Sequence, residues 1–345
     1  MDFLIDWVRD KAVMSLSGLT GGENVWLIVV NLLLLALGLF VIIKGGDLFV
    51  DAATWIAEVS GIPKFIIGAT VVSLATTLPE LLTSAFAAAK GSTDMAIGNA
   101  VGSVTANIGL IMAISILAIP SVIRRKDYAV KIALMLGAAL VIVSFGLGGK
   151  VNLVACVILL LLFGVNIWEN LQAAKNGTAQ KDEAEALERP AHDKKTIVVN
   201  ILKFLFGAFG IVLGATLLVN SGSSLATSVG VSERIISVTL IAIGTSLPEL
   251  VTTITAIVKK QSDLSVGNII GANIIDLTLI LPICAFLSGK ALPVSTQIAS
   301  VDFPAVLIVG AVACIPTLIT KKFQRWQGIA LLGLYLVYLT ITTLI

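Results

Sequence analysis

The sequence predicts an all-α, polytopic membrane protein of about ten transmembrane helices, arranged as two inverted five-helix repeats with breaks in helices 2, 3, 7 and 8. Three observations predict it. Of 345 residues, 57% are hydrophobic and only 13% charged, with a mean hydropathy of +1.02; a water-soluble domain of this length is far more polar. Windows of about 20 apolar residues, enough to cross a bilayer core, recur about ten times. The second half of the chain also repeats the first at a constant offset.

The elements follow in order. Asp2, Asp6 and Asp10 interrupt the apolar core that a signal peptide would need, so residues 1–24 read as a short amphipathic segment at the membrane surface, "FLIDWVRDKAV". Spans are expected near 25–57, 63–90, 94–119, 128–148 and 151–173, then 196–228, 234–259, 264–288, 300–320 and 326–345. Gly, Pro, Thr and Asn interrupt the second, third, seventh and eighth. Residues 174–195, with "NGTAQKDEAEALERPAHDKK", read as a mobile cytoplasmic linker between a first repeat at 25–173 and a second at 196–345. The lone His192 lies in that linker and is not read as a metal ligand.

Positive charge orients the spans. Arg124, Arg125, Lys126, Lys259, Lys260, Lys321, Lys322 and Arg325 all follow odd-numbered spans, as do the linker's lysines. The other side carries little more than Lys90, Lys150, Arg234 and Lys290. That places the protein in the cell membrane with both termini outside. Lys44, Asp47 and Asp51 then lie at the cytoplasmic end of the first span. A net charge of +2 gives no reason to expect nucleic acid, and no obligatory protein partner is evident. Cys156, Cys284 and Cys314 sit in apolar segments and read as buried free thiols.

The repeat aligns Gly61 with Gly230, Glu80 with Glu249, Gly98 with Gly267 and Asn107 with Asp276, an offset of 169 in each case. An ungapped register over some sixty residues signals duplication. Each half has an odd number of spans, so the second copy enters from the opposite side, a pattern that places transporter sites at the bilayer midplane.

Both copies bring oxygen donors into apolar surroundings. In "VSLATTLPELLTSA", Thr76 and Glu80 are four apart, with Ser73 and Thr77 flanking; in "IAIGTSLPELVTTI", Thr245 and Glu249 are flanked by Ala242 and Ser246. These spacings put the side chains on one helical stripe. Pro79 and Pro248 each free a carbonyl one turn upstream, tolerable in a membrane only inside protein or beside a cavity. In "GNAVGSVTAN", Asn99, Ser103 and Asn107 share a face; in "GNIIGANIID", so do Asn268, Ala272 and Asp276. Gly98/Gly102 and Gly267/Gly271 are small-residue pairs that let backbones approach. A lone proline is commonly a kink and a glycine pair commonly packing. Two glutamates at membrane depth in matching repeat positions are costly, and mark a functional site. The donors are hard oxygens, suited to calcium, which takes six to eight at about 2.3–2.6 Å, and to sodium. His and Cys, which a transition metal would want, are not near.

"TTLPE" with "GNAVGSVTAN", and "GTSLPE" with "GNIIGANIID", resemble the two alpha-repeats of the sodium/calcium exchangers of the cation/calcium antiporter superfamily. The resemblance covers nearly the whole chain after the first ~24 residues. It implies ten helices, no enzymatic activity or cofactor, and exchange of calcium for sodium by alternating access, the first and sixth helices sliding past the rest. Carried over by position, calcium is held by Glu80, Glu249 and backbone oxygens near Thr76 and Thr245. Sodium uses Ser73, Thr76, Ser103, Ala242, Thr245, Ser246 and the glutamates. Thr77 and Ala272 stand where the family usually has serine; the first keeps a hydroxyl and the second loses it. The alternative is a cation/proton exchanger of the same superfamily, with protons on Glu80, Glu249 or Asp276. An intramembrane aspartyl protease would need two aspartates, one in a GxGD setting that this chain lacks. A channel would pass calcium without a counter-ion.

Overall fold

The computed structural model describes residues 5–7, 9–14, 23–118, 125–184, 193–228, 242–289 and 291–344. The chain is helical almost throughout. The helices are α1 (Glu23–Ser60), α2 (Lys64–Thr76), α3 (Leu78–Ala89), α4 (Thr93–Ala118), α5 (Arg125–Gly146), α6 (Leu153–Ala184), α7 (Lys194–Ser228), α8 (Ala242–Thr245), α9 (Leu247–Val258), α10 (Ser262–Leu287), α11 (Ile298–Thr320) and α12 (Arg325–Leu344). Among the described residues, eight helices are individually long and apolar enough to cross a membrane. The α2–α3 pair forms a ninth span, bent by 46°. The shorter apolar α9 lies where the seventh span is expected, and the first part of that span, with Arg234, falls outside the described residues. His192 does too. Residues 5–7 and 9–14 are helical, and Cys156, Cys284 and Cys314 are buried and free.

The expected interruptions take two physical forms. Spans two and seven break at Thr77 and Ser246, and a new helix starts with Pro79 or Pro248 in its first turn. There the missing N–H costs no hydrogen bond, because the first turn has no partner for it. Spans three and eight do not bend. Each stays continuous and widens to a π-turn, at Asn107–Met112 and Asp276–Ile280. No proline lies at the first, where the extra residue is absorbed by i→i+5 bonding, whereas Pro282, two residues past the second, has no N–H to donate back into that π-turn. Span five is helical through Ala184, into the first part of the polar stretch at 174–195. Its Ala, Lys, Gln and Glu residues are good helix formers.

The glycines of α1 and α7 display the inverted symmetry directly. A Cβ at Gly45 would lie 3.0 Å from the Gly207 carbonyl oxygen, and one at Gly207 2.9 Å from that of Gly45. Gly38 and Gly214 stand in the same relation, at 3.1 and 2.8 Å. Gly38 and Gly45 are the repeat counterparts of Gly207 and Gly214, so exchanging the two halves maps one contact onto the other. The two backbones touch, as small residues allow between apolar helices.

Chain direction defines two faces. On one, β1 (Lys150–Val151) pairs antiparallel with β2 (Leu292–Pro293), near the turn at 90–92. We call this the ribbon face, and the opposite one, from which α6 runs on, the linker face. On the linker face Lys259 bridges Asp51 (2.8 Å) and Asp47 (3.3 Å) of α1, and Tyr128 stacks on Phe65. The hydrogen bonds and charges of these two aspartates outweigh partial burial and raise the Lys259 pKa above its usual value. A raised lysine pKa keeps its stabilisation below the unfolded value and loses it only as pH climbs through the folded one, so this bridge is intact at neutral pH. Within the membrane region, Lys131 of α5 is fully buried, and its ammonium donates to Asn166 (2.7 Å) and Asn170 and pairs with Glu169 (2.5 Å), all on α6.

Candidate ion-binding site

The breaks and π-turns converge on one buried polar region. Glu80 and Glu249 each occupy the first turn of a half-helix, where a carboxylate suits the helix dipole. Asn107 and Asp276 each open a π-turn. Glu80, Glu249, Asn107 and Asp276 are at most 1% exposed. The half-helix of Glu80 packs on the π-turn that Asp276 opens, and Thr77, three residues before Glu80, bonds Glu249, which brings the three acids into one locality. Ser73, Thr76, Thr77, Ser103 and Ser246 are also buried, and Thr245 is half-buried. Ala242 opens α8.

The carboxylates lack what buried carboxylates ordinarily have. Both oxygens of Glu80, both of Asp276 and Oε2 of Glu249 have no hydrogen-bond partner, and neither do Asn107 Oδ1 and Ser246 Oγ. Only Glu249 Oε1 receives a bond, from the Thr77 hydroxyl at 3.3 Å, a contact that crosses between the repeats. Buried polar atoms are nearly always paired, so a cluster of unpaired acceptors demands an explanation. Cations would supply the missing partners. Among the described residues no group of three His, Cys, Asp or Glu side chains converges as a metal cage, so such an ion would draw on hydroxyl, amide and backbone oxygens beside the glutamates. That is the chemistry of calcium and sodium rather than of a transition metal.

Sequence reasoning missed one partner and left the bonding of another unread. Asn273 Oδ1 accepts from Asn107 Nδ2 at 3.1 Å, which leaves the Asn107 oxygen unpaired. Asn268, read only as sharing a face with Asp276, accepts the Thr76 hydroxyl at 3.2 Å. Asn273 lies three residues before Asp276, but its repeat counterpart is Val104, so the pairing of the two copies gave no signal for it. Ala272 is wholly buried and contributes no oxygen. Beside the site, a cavity of about 310 Å³ lies between α3, α7 and the α8–α9 break, lined by Thr83, Thr216 and Asn220 and reaching Pro79, Thr245 and Pro248. It occupies the half of these helices nearer the ribbon face.

The sodium/calcium exchanger protein family model matches residues 30–171 and again residues 199–344. The chain belongs to the sodium/calcium exchanger family. The two matched segments start 169 residues apart, the offset of the internal repeat. This exchanger is 32% identical to an uncharacterized membrane protein of Methanocaldococcus jannaschii, over 87% of this chain and 94% of that one. It is 29% identical to the sodium/calcium exchanger MaX1 of Methanosarcina acetivorans, over 91% and 99%. Among solved structures it resembles the sodium-calcium exchanger NCX_Mj soaked with Na+ and Sr2+, with a TM-score of 0.76 and 30% identity over 91% of this chain and 99% of that one. The exchanger is thus a membrane transporter for cations, of the calcium antiport type.

Proposed function

We propose that this exchanger moves calcium out against sodium by alternating access at a midplane site whose charge comes from Glu80 and Glu249. The observation that carries the reading is the set of buried carboxylate oxygens without donors on Glu80, Glu249 and Asp276. Two carboxylates neutralise one calcium ion, and backbone oxygens near Thr76 and Thr245 extend its shell. Sodium ions take the hydroxyl and carbonyl oxygens of Ser73, Thr76, Ser103, Ala242, Thr245 and Ser246 with the same glutamates, so calcium and sodium compete for charge. Asn107 and Asp276 complete the centre, and Thr77 steadies Glu249. The protein sits in the cell membrane with both termini outside. The first and sixth helices, one from each of the repeats 25–173 and 196–345, slide past the rest, and residues 174–195 join the repeats in the cytoplasm.

The test is calcium flux in proteoliposomes with sodium, potassium or proton gradients imposed singly. An outward-directed calcium flux driven by sodium alone is expected. Flux that follows only the proton gradient transfers the reading to cation/proton exchange, and calcium passage without any counter-ion makes the protein a channel.

Ala272 supplies a finer prediction. It lies one turn before Asp276 and is the repeat partner of Ser103. Ala272→Ser adds an oxygen, and a hydrogen-bond-sized gain of about 1 kcal/mol tightens sodium several-fold. The half-maximal sodium concentration for calcium efflux should fall accordingly, while calcium binding, dominated by the glutamates, changes less. An unchanged sodium curve in a folded variant removes position 272 from the sodium path.

A further inference from the structure

The two repeats carry the same amide–hydroxyl pair in different states. In the first, Asn99 Nδ2 donates to Ser84 Oγ at 2.8 Å and to the Glu80 carbonyl at 3.3 Å, tying α4 to the half-helix that bears Glu80. The repeat counterparts are Asn268 and Thr253. Asn268 Nδ2 and Thr253 Oγ1 are both fully buried, and neither has a partner. Asn268 instead uses its oxygen to accept the Thr76 hydroxyl across the repeat boundary. A buried donor and a buried acceptor of matching chemistry, both unsatisfied, are costly unless another conformation joins them.

Backbone packing is tight where α10 meets α2. A Cβ at Gly267 would collide with the Phe65 carbonyl, and one at Gly271 would stand 2.6 Å from Ala69 Cα, so α10 lies against the backbone of α2 near the linker face. Among the described residues, a Cβ at the counterpart Gly98 meets nothing within 4 Å, and one at Gly102 meets only the Tyr338 hydroxyl at 3.8 Å. The repeat counterparts of Phe65 and Ala69, at positions 234 and 238, lie outside the described residues.

We infer that Asn99 and Asn268 are positioning residues that trade partners when the site changes its side of access. Exchanging the conformations of the two halves joins Asn268 to Thr253 and the Glu249 carbonyl. It releases Thr76, and brings the Thr245 hydroxyl to Asn99 as the counterpart of the Thr76–Asn268 bond. The swap turns the Thr76 hydroxyl, a candidate ligand, from Asn268 towards the ions. The two states share one set of bonds reflected through the repeat, so neither is favoured by their number and the barrier falls on their exchange. The inference rests on the alternating-access reading above.

Two single variants separate the states. Ser84→Ala removes an acceptor used only in the present state; Thr253→Val, of nearly the same shape, removes one used only in the other. A Val212→Cys reporter on the cavity wall, in a chain with Cys156, Cys284 and Cys314 replaced by alanine, reads access to a membrane-impermeant maleimide. Loss of one hydrogen bond shifts the ratio of states about 3- to 10-fold. Labelling should fall by that factor in Ser84→Ala, rise in Thr253→Val and return towards the parent in the double variant, while calcium exchange slows in both single variants. A merely structural role moves nothing at Thr253, which has no partner here to lose. Wild-type exchange with unchanged labelling and exchange in Thr253→Val overturns the partner trade. Absence of exchange in the wild type overturns instead the function on which it rests.

Discussion

Glu80→Gln and Glu249→Gln are each expected to abolish calcium transport while leaving a folded, monodisperse protein. Each removes half of the charge available to neutralise the ion. At an effective dielectric of about 20, one unit charge 4 Å from another is worth about 4 kcal/mol, and calcium carries two. A fall of at least a thousandfold in calcium affinity follows. Folding should survive because the Glu80 carboxylate has no donors to lose and Glu249 has only the Thr77 hydroxyl. Taking an unpaired carboxylate out of the interior removes a desolvation cost, so melting without calcium should be unchanged or higher. The melting temperature in detergent, with and without calcium, makes the check. Wild type gains stability with calcium by mass action and the variants should gain none. Near wild-type flux in either variant would falsify the two-carboxylate site.

Gly267→Ala is expected to destabilise the protein by about 3 kcal/mol, at the upper end for overpacked cores, because the added methyl meets backbone. It would strike the Phe65 carbonyl and stand 3.1 Å from the Ala69 nitrogen. At its counterpart Gly98 an added methyl meets nothing within 4 Å among the described residues, so Gly98→Ala should instead be neutral or stabilising by up to about 1 kcal/mol, the usual gain of alanine over glycine in a helix. Thermal melting of the two variants side by side measures the contrast. If the halves trade conformations, Gly98→Ala should still slow exchange, since the opposite arrangement needs the same close approach there. Equal melting shifts for both would show that the two seams are equally packed.

Much of this molecule was legible because a bilayer imposes simple rules. Apolar run length located most spans to within a few residues, although the helix of the fifth runs on to Ala184 and the first part of the seventh lies outside the described residues. The constant offset located the pseudo-symmetry that Gly38, Gly45, Gly207 and Gly214 display in contact. Prolines marked two breaks, at Thr77 and Ser246. Three things were hidden for physical reasons. The π-turn at Asn107 leaves no proline or other stop residue as a trace, and Pro282, just past the one at Asp276, does not end its helix. Lys131 reads as an ordinary interfacial lysine until the fold places Asn166, Glu169 and Asn170 around it. Most of all, a repeat in sequence describes two equal halves. The pairs Asn99–Ser84 and Asn268–Thr253 look alike there, and only the conformation distinguishes the one that is made.

The paired α1 and α7 carry a consequence for the lipid around them. As helices they run 36 and 35 residues, about 54 and 52 Å at 1.5 Å per residue, against a hydrocarbon core of about 30 Å. Such helices cross at a steep slant or extend beyond the core. With backbones in contact at their glycines they form one stiff beam, whose outer surface bears Leu33, Phe40, Ile43, Leu205, Phe206 and Phe209. Any displacement of that beam drags a wide apolar surface through acyl chains and changes the thickness it matches. Bilayer thickness and fluidity therefore enter the turnover rate as physical variables, alongside the ion gradients.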